Sequence, residues 1–123
     1  MARDPRLQLR RRSREAAAHA LVQMDAAAQA GDSTLFFESL GVAVRERIGL
    51  ILGIPGATIT EQVIGDRLRG LGMSDADLAS LEEIFATLDH ARFSPSQSAG
   101  ELASLREKGA EVCRSLEAWE GRG

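Results

Sequence analysis

Large apolar residues recur at spacings of three and four through residues 34–52, placing Phe37, Leu40, Val44, Ile48 and Ile51 on one face of a helix. A face that apolar has to be covered by other helices, so this segment is predicted to be the centre of a helical bundle. The rest of the chain supplies the covers. Residues 5–30 carry a narrow stripe of Ala17, Ala20, Leu21, Met24 and Ala28. A shorter segment after Thr60 turns Val63, Ile64, Leu68 and Leu71 inward, and a fourth aligns Leu78, Leu81, Phe85 and Leu88. The last, residues 98–119, carries Leu102, Leu105, Val112, Leu116 and Trp119. No alternating run is long enough to propose a strand.

The punctuation agrees with this division. Pro5 suits a first helical turn, where its missing N–H costs nothing. Gly31-Asp32-Ser33 combines a helix stop with a new cap, and Gly53-Ile54-Pro55-Gly56 is a second break. Thr60 followed by Glu61 opens the third helix and Gly72 ends it. Ser74 caps the fourth, with Asp75 and Asp77 in the first turn, where the helix dipole favours negative charge. Pro95 makes Arg92-Phe93-Ser94-Pro95-Ser96 a loop, and Gly109 weakens the last helix by about 1 kcal/mol relative to Ala. With 123 residues there is room for one core. Because aromatics are 4% of the chain and Tyr is absent, that core is built from Leu, Ile, Val and Ala. The expected fold is all-α, a compact bundle of about five helices with short connections.

Charge is distributed unevenly. Arg3, Arg6, Arg10, Arg11, Arg12 and Arg14 are opposed only by Asp4 and Glu15, so the first fifteen residues carry +4 while the whole chain carries −3. Residues 16–123 therefore carry −7. The predicted organisation is a basic, juxtamembrane-like stem over residues 1–15 and a single acidic helical domain over residues 16–123. Arg6, Arg10 and Arg14 recur every four residues on one helical face, with Arg3 near the same line. Three readings suit such a stem: a solvated helix end, contact with an anionic membrane surface, or contact with nucleic acid. For the last, Leu68-Arg69-Gly70-Leu71-Gly72-Met73-Ser74 joins two helices by a tight turn, as helix-turn-helix proteins do. The would-be recognition helix opens Asp75-Ala76-Asp77 and continues to Glu82-Glu83, which phosphate would repel; specific duplex binding is therefore disfavoured.

No catalytic constellation emerges. His19 and His90 have no ligand-like neighbours at metal spacing and read as surface or rim residues. Cys113 reads as a small core or rim residue; nothing in the spacing favours a nucleophile pair with either histidine. A single cysteine forms no internal disulfide and fits a reducing compartment. Ser74-Asp75-Ala76-Asp77 lacks the glycine and bidentate acid of a calcium loop. The segment from Gly49 to Gly56 lacks the Gly-Lys-Ser/Thr ending of a phosphate loop. Glu82-Glu83 and Glu117 to Glu120 read as solvated helix faces. The most apolar run, Ile48 to Ile59, is too short to cross a bilayer, and Met1 is followed by arginines and acids rather than a secretory signal. The expectation is a non-enzymatic chain without metal, cofactor or small-molecule substrate.

The order of these signals resembles the C-terminal cytoplasmic domain of BatD-like proteins, the membrane-anchored components of bacterial aerotolerance (Bat) operons. The stretches that carry the likeness are Ala26-Ala27-Ala28-Gln29-Ala30-Gly31-Asp32, then Leu35-Phe36-Phe37-Glu38-Ser39-Leu40 leading to Val44-Arg45-Glu46-Arg47. Gly53-Ile54-Pro55 with Thr60-Glu61 follows, and then Leu88-Asp89-His90-Ala91-Arg92-Phe93-Ser94. The likeness covers about residues 14–97, and the last helix fits an added coiled tail. It implies a non-catalytic interaction domain for stress-related complex assembly, held at the cytoplasmic side of the bacterial inner membrane as part of a longer protein and soluble when separated from it. Its implied partners are Bat proteins with von Willebrand A-type domains and a MoxR-type AAA+ ATPase. The contact residues expected are Arg6, Arg10, Arg11, Arg12 and Arg14 at a membrane surface or partner. Arg92 and Phe93 are expected as loop anchor or interface, with Phe93 tucked between helix ends. A small helical nucleic-acid-binding or transcription-associated protein, using the stem as a basic arm, is the alternative reading.

Overall fold

Two residues, Gly31 and Asp32, separate the two longest neighbouring helices, α1 (Pro5–Ala30) and α2 (Ser33–Leu52). The turn is closed by backbone bonds from Gly31 N–H to the Ala28 carbonyl and from Asp32 N–H to the Ala27 carbonyl. Asp32 is the N-cap of α2, its carboxylate accepting from the Leu35 N–H at 3.1 Å, so α2 begins one residue ahead of the expected Thr34. So short a link makes the pair antiparallel, and this is the most extensive helix contact in the molecule.

The protein is described by a computed structural model that places residues 5–91 and 99–120, without the side chains of Arg6, Ala99 and Glu120. Arg3, Arg92, Phe93 and the loop around Pro95 lie outside the described residues, as does the Arg6 side chain.

After α2 the chain makes a single 3-10 turn (Gly56–Thr58), then α3 (Glu61–Val63), which widens into a π-helical turn over Ile64–Leu68. α4 (Asp75–Ala91) and α5 (Ala99–Glu120) complete an all-α bundle of about five helices with short connections. Thr60 caps α3 through the Val63 N–H, and the Ser74 hydroxyl accepts from the Asp77 N–H at the start of α4. α2 is central: it contacts α1, α4, α5 and the 3-10 turn. Phe37, Leu40, Val44 and Ile48 are buried in one cluster with Leu68, Leu81, Phe85 and Leu88.

Three expectations change. The third helix is not regular: a single α turn gives way to the π turn, whose first and last residues, Ile64 and Leu68, are both buried. Leu71 is not inward but 51% exposed, because the chain is already turning towards Gly72 when it reaches this residue. Ile51 is half-buried rather than buried, since α2 ends one residue later. Phe36, beside the predicted Phe37, is fully buried; the two rings meet edge to face at 5.4 Å. α2 is covered on several sides, so its buried surface is wider than one stripe.

Two glycines owe their place to close approach. A Cβ on Gly109 would lie 2.7 Å from Leu40 Cδ1 and 3.6 Å from Met24 Sδ, so the weak point in α5 is where α1 and α2 press closest to it. A Cβ on Gly49 would lie 2.5 Å from the Ile54 carbonyl oxygen. That carbonyl belongs to the chain folding back over the end of α2, whose stop at Gly53 is left-handed (φ 70°) and returns its N–H to the Gly49 carbonyl at 2.7 Å.

Candidate interaction surface

α1 does two different things along its length. From Ser13 onward it is embedded: Ser13, Ala17, Ala20, Met24 and Ala27 are all buried, and alanines let its backbone lie close to α2. Ahead of Ser13 the helix continues without a break, and Arg10, Arg11 and Arg12 are exposed, as is Arg14 just beyond it. The sequence placed Arg10 and Arg14 on one face. With Ser13 pointing into the bundle and about 100° of rotation per residue, Arg11 lies about 160° round the helix, on the outer side, whereas Arg10 lies on the inner side.

Arg10 borders a cleft of about 540 Å³ at this end of the bundle. The cleft is walled by Leu9 and Ser13 of α1, the last turn of α2 from Leu50 to Gly53, Leu71 and Trp119. α2 has no basic residue in its own last turn, so Arg10 also brings a positive charge to the negative end of that helix dipole. Sequence reasoning did not assemble this cleft: Leu71 and Trp119 were both assigned to core stripes, and the four segments are far apart in the chain. The exposure of Leu71 and the half-exposure of Trp119 are what open it. Leucines interleaved with arginines at Leu7 and Leu9 are the only local signal of it.

The other flagged groups have structural surroundings. Cys113 is 2% exposed on the inner side of α5. Burial pushes its thiol up to about 11, with the Arg47 guanidinium pulling down and Glu117 pushing up by smaller amounts. It is therefore a protonated thiol at neutral pH, the opposite of an activated nucleophile. Arg47 and Glu117 form an ion pair at 2.8 Å linking α2 to α5, which gives one carboxylate of the Glu117–Glu120 stretch a partner. His19 and His90 are exposed on α1 and α4. Ser74 and Asp77 make the helix cap already described, and the Gly49–Gly56 segment is the helix stop. Among the described residues no three His, Cys, Asp or Glu side chains gather where a metal ion could be held. Glu82 and Glu83 lie on the exposed side of α4, with Glu83 paired to Lys108. None of the helices described is long and apolar enough to cross a membrane.

No family model, curated protein or solved structure matches the chain.

Proposed function

We propose that this chain is a non-catalytic helical interaction domain of a BatD-like, membrane-anchored protein, working at the cytoplasmic face of the bacterial inner membrane in aerotolerance-related complex assembly. The observation that carries the reading is the division within α1. A helix whose later turns belong to the core extends arginines from its first turns into solvent, at the end of an otherwise acidic molecule. Arginines immediately after a membrane span mark its cytoplasmic side, and each one close to an anionic leaflet contributes about 1 kcal/mol of attraction. The resemblance over residues 14–97 supplies the company: von Willebrand A-type Bat proteins and a MoxR-type AAA+ ATPase. No cofactor or small-molecule substrate enters this role, and nucleic acid is not its partner, since the exposed acids of α4 oppose phosphate.

The test is co-sedimentation with vesicles beside a DNA mobility shift, both over a salt gradient. Vesicles containing phosphatidylglycerol should bind the chain weakly and neutral vesicles almost not at all. Binding should fade at high salt, where the Debye length shrinks from about 8 Å to about 3 Å. Replacing Arg6, Arg10, Arg11 and Arg14 by Gln should abolish it with the fold intact. Tight, sequence-selective DNA binding without vesicle association would overturn this reading in favour of a basic-armed nucleic-acid-binding protein.

A further inference from the structure

The clefts on the described surface differ in charge. A small one between α4 and α5, about 120 Å³, is lined by Asp77, Glu111 and Lys108 among others. A larger one beside the 3-10 turn, about 640 Å³, carries Glu46, Glu61 and Asp89 around Arg45, whose guanidinium lies 5.4 Å from the centre of the Phe85 ring. The cleft at the basic end of the bundle, about 540 Å³, is lined among the described residues by no carboxylate and by one charged side chain, Arg10.

From this contrast we infer that the third cleft is the docking site for an acidic peptide segment of a partner protein, with one apolar side chain seated in the cleft. The inference rests on the interaction-domain reading above and names the chemistry of the partner. The floor is apolar, made by Leu50, Ile51 and Leu52 at the end of α2. Leu9 and Leu71 also line it, as does the half-buried Trp119. An apolar cleft of this size with polar groups at its edge has the form of a recognition pocket. Exposed arginines stand on the segments that supply the cleft, Arg10 and Arg14 on α1 and Arg67 and Arg69 on the stretch leading to Leu71, with Glu15 and Asp66 the acids beside them. Residues 16–123 carry a net −7, so the acidic body taken as a whole disfavours an acidic segment. A flat bilayer would meet the outward Arg11 and leave a concave floor unfilled; a peptide side chain fills it. Complementary charge then steers and orients the segment while the buried apolar residue anchors it.

Trp119 is the only tryptophan in the chain, so its emission reports occupancy of the cleft directly. The experiment pans a phage-displayed random peptide library against the intact chain and, in parallel, against Leu71→Asp and Leu71→Ser. Leu71 is exposed, so both variants should keep the wild-type circular dichroism spectrum. The expected result is enrichment of acid-rich peptides with a Leu, Ile, Phe or Trp anchor. As synthetic peptides these should shift Trp119 emission, weaken with salt, and lose at least about tenfold affinity for both variants. Enrichment without acidic bias, no enrichment, or affinity unchanged in both variants would overturn the docking site. A Leu71-dependent emission shift caused by phosphatidylglycerol vesicles, with none caused by acidic peptides, would overturn it too and make the cleft part of the membrane contact. Acidic peptides that bind while vesicles do not would leave the docking site standing and remove the membrane-face reading.

Discussion

The two halves of α1 have the same secondary structure and opposite relations to the rest of the molecule. Its C-terminal half packs Ala17, Ala20, Met24 and Ala27 into the bundle, where α1 makes its extensive contact with α2 and a smaller one with α5. Its N-terminal half shows Arg10, Arg11, Arg12 and Arg14 to solvent. One half stabilises the fold and the other adds little to it. A helix divided this way can carry a contact surface at no cost to the core, because the core already fixes its direction.

The largest expected effect falls on the packed half. Met24→Ala removes a fully buried side chain that sits 3.6 Å from where a Gly109 Cβ would be, and should cost about 2–5 kcal/mol in urea denaturation. Leu40→Ala, across the same contact, belongs in that range.

The next effect probes the buried thiol beside the Arg47–Glu117 pair. The folded-state value of Cys113 is raised from 9.0 to about 11, so its contribution is whole below the unfolded value and is lost as pH rises towards the folded one. At about 1.4 kcal/mol per unit, the loss between the two values is about 3 kcal/mol. Tyr is absent, so no phenol contributes in this window. Stability measured against pH should fall in this window in the wild type and distinctly less in Cys113→Ala.

Ala20→Leu would sharpen the comparison from the other direction. Overfilling the tight α1–α2 contact should cost about 1–3 kcal/mol although the substitution adds apolar surface. The smallest effect is on the exposed half: Arg11→Gln and Arg12→Gln should each change stability by less than about 0.5 kcal/mol while weakening vesicle binding. A loss there as large as that of Met24→Ala would erase the distinction between the halves.

Most of the fold was legible because the stripes that build it are local. The 3.6-residue period placed α1, α2, α4 and α5 within a residue or so, and Asp32, Ser74 and Gly53 act as helix punctuation. What was not legible depends on neighbours. Phe36 is buried because α2 is covered on several sides, and Gly109 is a close contact instead of a mere defect in α5. The π turn and the exposed Leu71 depend on how the third segment meets the others. The arginines of the candidate surface were visible as composition. The cleft they border was not, since it joins Leu9, the end of α2, Leu71 and Trp119, and no spacing in the chain records that meeting.

The claim that α1 is half core and half contact surface is tested most directly by amide hydrogen exchange along that helix, with and without phosphatidylglycerol vesicles. In the free protein, residues 17–30 should be strongly protected and residues 5–12 should exchange fast, because local opening at a solvent-exposed helix end costs little. Vesicles should slow exchange in residues 5–12 and leave residues 17–30 unchanged. Uniform protection along α1 that vesicles do not alter, or vesicle-induced protection confined to residues 17–30, would contradict the account.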